Sequence, residues 1–224
     1  MALQSAENPR DLSALRGTPL RCGSNPGRCL TLRGVCVHHT AMSAFLLALL
    51  AALAVGIGAR DQLLVAWMAA RPGMKSGAGF GLLMTAIGAA LLSAGLAGWA
   101  GMLAAPQLAA PARELLAAMA LGLAALELLV LRPGRRPAEP TASLGALGVV
   151  LLAQQVTDAA RLLVFALAAS SAVPQLAVLG GMLGCAGTAV LGWSGGDRLA
   201  ALPLTPVRRA LGVLLAAIAV FVAI

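Results

Sequence analysis

Long runs without a single charge dominate this chain, and residues 41–57 and 142–152 hold none at all. A water-soluble fold must cover its exterior with polar groups, and repeated runs of this kind leave too few of them. Hydrophobic residues make up 60% of the 224 positions and charged ones 11%, and the mean hydropathy is +0.91. The solvent that suits such a chain is lipid. With charged or Pro/Gly-rich segments taken as borders, six apolar stretches emerge at residues 42–70, 79–104, 112–131, 142–170, 172–194 and 207–224. Each reaches or nearly reaches the roughly 20 residues that a spanning helix needs. A membrane β-barrel requires short alternating segments, so these uniformly apolar stretches predict an all-α integral membrane protein with six transmembrane helices.

The first 41 residues differ in kind. Arg10, Arg16, Arg21, Arg28 and Arg33 stand there among Pro, Gly and Ser, which predicts a disordered basic leader. Cys22, Cys29 and Cys36, followed by His38 and His39, raise the question of zinc, but the paired short spacing of zinc-binding cysteines is missing. Met42 directly precedes the first apolar run and is an alternative start of the chain. Cys185, alone in an apolar span, reads as a small packing residue.

Lys and Arg near the spans set orientation, because positive loops stay cytoplasmic. Arg71 and Lys75, then Arg132, Arg135 and Arg136, then Arg198, Arg208 and Arg209 follow spans one, three and five, against Arg113 on the other side. The central loop is therefore expected in the cytoplasm and Ile224 across the membrane, as in a bacterial inner-membrane protein. A net charge of +8 and a pI near 11.2 then reflect cytoplasmic-side charge and not nucleic-acid binding.

An internal repeat divides the chain. Residues 58–67, GARDQLLVAW, align with residues 157–166, TDAARLLVFA, 99 positions later. Residues 96–101, LAGWAG, answer 190–195, VLGWSG, and 111–115, PAREL, answer 206–210, PVRRA, at offsets of 94 and 95. Each half holds three spans, an odd number, so the halves must run in opposite senses through the membrane. The expected organisation is a leader (1–41), a first three-helix repeat (42–131), a cytoplasmic loop (132–141) and a second, inverted repeat (142–224), which is an architecture of transporters.

Transporters of this design bind ions near the midplane, where the first helix of each half is broken or polar. Asp158 and Arg161 fall near the middle of span four, and Arg60 and Asp61 near the middle of span one. An ionised side chain at that depth costs at least about 2.5–3.5 kcal/mol, so it needs a partner or a watery path. Helical spacing places Gln154, Gln155, Asp158 and Arg161 on one face. The stripe is either an ion pair that locks packing, or an ion or proton site. In the second case Asp158 supplies charge and Gln154, Gln155 or Thr157 supply neutral oxygens. Arg60, Asp61 and Gln62 either reach water at a break or join that path. Glu127, four residues from the end of span three, is expected to snorkel to the interface.

At these residues the chain resembles the GDT-type cation/proton antiporters, which include Golgi calcium/manganese transporters and bacterial manganese exporters. Their signature, Glu-x-Gly-Asp-Lys-(Thr/Ser) often followed by Gln-Leu, occurs once in each inverted half. Span one here reads GIGARDQL from Gly56, and span four reads QVTDAARL from Gln155. The frame is kept, and of the four family carboxylates Asp158 remains. The final segment, GDRLAALPLTPVRR from Gly196 followed by an apolar helix, resembles the family's usual ending, so the likeness runs from Met42 to Ile224. The resemblance implies manganese or calcium export in exchange for protons, with Asp158 and Gln155 as metal ligands and no resident cofactor. Hard divalent ions want several oxygens, anionic ones above all, and the loss of acids weakens such a site.

Two alternatives stay open. One is an exporter of a monovalent ion or another small solute. The other is a transport-inactive protein that packs against helical partners, or against its own copies, through the Gly, Ala and Ser of spans two and five. An enzyme is not expected, since no nucleophile with its base, paired catalytic carboxylates or phosphate loop can be assembled.

Overall fold

Spans one and four each divide into two helices. In the computed structural model, which describes residues 42–71, 77–130, 143–202 and 204–224, α1 (Met42–Gly56) and α2 (Arg60–Ala69) meet at a bend of 66°. After α3 (Gly77–Ala104), a 3-10 turn at Ala105–Gln107 and α4 (Ala110–Val130), the pattern returns, with α5 (Leu144–Gln155) and α6 (Ala159–Ser170) meeting at 59°. The chain closes with α7 (Pro174–Ala201), interrupted at Gly196, and α8 (Leu204–Ala223). Among the described residues all regular structure is helical. The basic leader with its cysteines and histidines, and the central loop, lie outside them.

The two breaks share one construction. At the first, the Ala59 N–H donates to Gly56 O (3.1 Å), Ala59 takes extended backbone (φ −62°, ψ 156°), and the Leu63 N–H donates back to Ala59 O (3.0 Å) to restart the helix. At the second, 99 positions on, Asp158 N–H donates to Gln155 O (3.3 Å), Asp158 is extended (φ −73°, ψ 137°), and Leu162 N–H donates to Asp158 O (3.2 Å). Gly58 has φ +73°, a left-handed value that a Cβ disfavours. A break within lipid frees backbone groups that need partners, and the side-chain Oε1 of Gln62 takes the Gly58 N–H at 2.7 Å.

Three helices are long and apolar enough to cross a membrane, at Gly79–Gln107, Pro174–Gly196 and Leu204–Ala223, and five crossings result if each bent pair counts as one. α4, 21 residues long, carries Arg113, Glu114 and Glu127 and falls outside that count. The apolar outer surface fits lipid contact: Phe221, Val149 and Trp99 are among the large side chains exposed on α8, α5 and α3.

α7 is the axis of the bundle, with half of its spanning window buried against 22% for α8. It packs on α3, α2 and α6, while α3 packs also on α6 and α5, and α4 on α8 and α6. Without a hydrophobic force between helices in lipid, such contacts rest on close approach of backbones. Gly184 supplies one, since a Cβ there would stand 2.6 Å from Leu49 O and 2.8 Å from Ala52 Cβ of α1. Cys185 is a free, fully buried thiol in the core, as its isolation in an apolar span leads one to expect.

Candidate ion site

The two helix breaks aim charged residues from both halves at one point. Asp61, in the first turn of α2, and Asp158, at the N-cap of α6, are both buried, and buried Arg161 stands between them. Its Nη1 donates to Asp158 Oδ2 at 2.5 Å, and its Nη2 lies 3.2 Å from Asp61 Oδ2. An N-cap Asp ordinarily accepts from the first backbone N–H groups of its own helix, but the Asp158 carboxylate makes no such bond and turns to the guanidinium instead.

Neutral groups complete the arrangement. Gln155 Nε2 donates to Asp61 Oδ2 at 2.8 Å, and the Asp61 Oδ1 accepts from the Gln62 backbone N–H at 2.8 Å. Ser93 on α3 donates its hydroxyl to Gln155 Oε1 at 2.8 Å and accepts from Arg161 Nε at 3.1 Å. Two carboxylates against one guanidinium leave one formal negative charge. A cavity of about 600 Å³ between α3 and α5, with otherwise apolar walls, reaches Ser93, Gln155 and Arg161.

The site departs from the expected single stripe. Because α5 ends at Gln155 and α6 starts at Ala159, Gln154, Gln155, Asp158 and Arg161 do not share one helical face. Gln155, Asp158 and Arg161 enter the cluster. Gln154 is half-buried, and its Oε1 has no hydrogen-bond partner. Thr157 is exposed and lines a separate cavity of about 340 Å³ with Glu127 and Leu162, apart from the hydrogen-bonded cluster at Asp158. Asp61 does not simply reach water at a break, since it pairs across the halves with Arg161. Gln62 bonds Gly58 and, through Nε2, Thr188 O of α7 at 3.2 Å, which holds the break in place.

Glu127 does not snorkel. It is buried, with Oε1 3.8 Å from Nη2 of Arg208 on α8, and its other oxygen, like Nε and Nη1 of Arg208, has no hydrogen-bond partner. Asp158 and the half-buried Arg60 also act electrostatically on Glu127, so this second pair adjoins the first cluster. Arg208 therefore belongs to the interior and not to a loop.

Three participants escaped sequence reasoning: Ser93, Thr188 and Arg208. Ser93 and Thr188 are 95 positions apart, the offset of the third repeat landmark, and that coincidence of polar residues inside apolar spans was the available signal. Arg161 bonds the Ser93 hydroxyl and Gln62, 99 positions before it, bonds the backbone carbonyl of Thr188, so corresponding positions meet through different groups. A side chain on Gly56, the counterpart of Gln155, would require Thr188 to move, since its Cβ would stand 2.5 Å from Thr188 Cγ2.

No family model, curated protein or solved structure matches this chain.

For a divalent ion, the donor set is two carboxylates, an amide oxygen and a hydroxyl. All are hard oxygens, suited to manganese or calcium by chemistry. The Oδ2 atoms of both carboxylates are engaged by the guanidinium, so Arg161 would compete with a cation for them.

Proposed function

We propose that this chain is a six-helix membrane transporter of two inverted three-helix halves, which moves a cation in exchange for protons through Asp61, Asp158, Gln155 and Ser93. The carrying observation is the meeting of two broken helices, one from each half, whose carboxylates share Arg161.

Part of the packing supports two related halves, and the odd number of spans in each is what makes them inverted in this reading. Exchanging the halves turns the contact of α2 with α7 into that of α6 with α3, and α3 with α7 and α4 with α8 map onto themselves, whereas the packing of α4 on α6 has no equal in α8 on α2. Bent first helices in both halves support the transport part, since discontinuous helices facing each other are how such carriers build ion sites. α4 counts as a span in this reading because Glu127 meets Arg208 inside the protein, which relieves the cost of its charge in lipid.

The cargo that the resemblance implies is manganese or calcium, with the proton carried on Asp158 when the cation leaves. The placement that accompanies this reading is a bacterial plasma membrane with the central loop in the cytoplasm. A second reading, a transport-inactive protein that works through helical partners, draws on the same ion pairs, because a guanidinium that never leaves closes the site.

Flux into liposomes separates them. The full chain, reconstituted with a manganese-sensitive dye or a pH dye inside, is expected to pass manganese with opposing proton movement, and Asp158→Asn is expected to abolish both. An inserted native chain that passes neither manganese, calcium nor sodium would refute the transport reading and leave the partner-binding one.

A further inference from the structure

Arg161 does what a bound cation would do. It lies between two carboxylates from different halves, it bonds the hydroxyl that bonds Gln155, and it is only 3% exposed at the end of a cavity. A pair that merely locked α6 against α2 would need one carboxylate. Here two carboxylates converge on one positive group, and the Arg161 Nη2 has no well-formed hydrogen bond although it stands 3.2 Å from Asp61. The guanidinium thus satisfies the site's charge while fitting its donors imperfectly on the Asp61 side.

The repeat identifies what the position holds without that charge. Arg161 corresponds to Gln62, 99 positions earlier, and each donates across to the second helix of the opposite half, Arg161 to the Ser93 hydroxyl and Gln62 to the Thr188 backbone carbonyl. A neutral glutamine is therefore compatible with this kind of break, and the arginine is an addition specific to the second half.

We propose that Arg161 is a tethered competitor for a divalent-cation site formed by Asp61, Asp158, Gln155 and Ser93. With Arg161 seated, the site is closed to a hard divalent ion. With Arg161 withdrawn from Asp61 toward the cavity between α3 and α5, the two carboxylates and the Ser93 hydroxyl are released, and Gln155, whose Nε2 now bonds Asp61, must turn its Oε1 to the vacated space. Arg161 is then a specificity-determining residue, which sets how strongly an ion must bind to enter. The inference rests on the reading of Asp61 and Asp158 as the cation site, and it does not require that the native chain transport anything.

The test is manganese binding to the purified full chain in detergent, read by titration calorimetry and by the shift of the thermal midpoint with manganese alone. Arg161→Gln installs the first half's own residue. It is expected to bind manganese at least about tenfold more tightly than the native chain, a change of about 1.4 kcal/mol. Its thermal midpoint is expected to rise with manganese concentration, as binding to the folded state requires. The double variant Asp158→Asn/Arg161→Gln is expected to lose the gain. A folded Arg161→Gln chain that binds no more tightly than the native one overturns the proposal, as does a gain that survives in the double variant.

If Arg161→Gln does not fold, Arg161→Lys decides. Its ammonium keeps the charge but cannot bridge both carboxylates as the planar fork does, so manganese affinity is expected to rise about threefold or more. Unchanged affinity overturns the idea. Gain of binding in Arg161→Gln beside a native chain without flux would sink the transport reading and keep this one; native flux without the gain would do the reverse.

Discussion

Ser93→Ala is the sharpest probe of how the cluster is held. The Ser93 hydroxyl stands between two groups, donating to Gln155 Oε1 at 2.8 Å and accepting from Arg161 Nε at 3.1 Å. Removing it leaves a buried amide oxygen without a donor and a guanidinium N–H without an acceptor. A neutral unpaired group costs about 1–3 kcal/mol and one on a charged side chain somewhat more, so the loss should come to about 3 kcal/mol. For a chain of this size that corresponds to a fall of roughly 6–12 °C in the thermal midpoint. Ser93→Thr keeps the hydroxyl, and threonine is what the second half carries at Thr188, so it should stay within about 1 kcal/mol of the native chain. Thermal unfolding in detergent, followed by tryptophan fluorescence and far-UV dichroism together, would check both. If Ser93→Ala unfolds at the native temperature, the hydroxyl does not bridge Gln155 and Arg161, and the description of the site is wrong.

Four further outcomes follow from the packing. Glu127→Gln leaves Arg208 buried and unpaired, which should lower stability by about 3–5 kcal/mol; an unchanged midpoint would mean that Glu127 reaches the interface after all. In a double-mutant cycle, Glu127→Gln and Arg208→Met should couple by more than about 0.5 kcal/mol. Gly184→Val forces side-chain atoms onto Leu49 O and Ala52 of α1, and should reduce the yield of monodisperse protein on gel filtration far more than the same change at Gly122, where a Cβ meets nothing within 4 Å. Gly58→Ala, at φ +73° and 3.1 Å from Leu204 Cβ, should cost at least about 1–2 kcal/mol of thermal stability, and a neutral result would show that the first break does not need that backbone.

Helical breaks, and not helical periodicity, decide which polar residues meet. Gln154 and Asp158 share a face only on a continuous helix, and the turn at Val156 and Thr157 removes that continuity, which is why Gln154 and Thr157 leave the group while Asp61 joins it. Glu127 shows the same limit from another side. Its distance from the end of an apolar run suggests the interface, but its surroundings are set by α8, whose Arg208 reads in one dimension as a loop charge.

What the sequence determined by itself is the helical, lipid-compatible character of the chain and the approximate borders of its apolar segments, because both follow from local composition and from the length of uncharged runs. It also carried the 99-residue correspondence that the two breaks reproduce. The tertiary structure alone decided that Asp61 and Asp158 face one guanidinium, that Ser93 from α3 bridges it to Gln155, and that Glu127 lies buried against Arg208. These contacts join positions dozens of residues apart across helices whose rotations are set by the close approach of small residues such as Gly184, and no local pattern encodes that geometry.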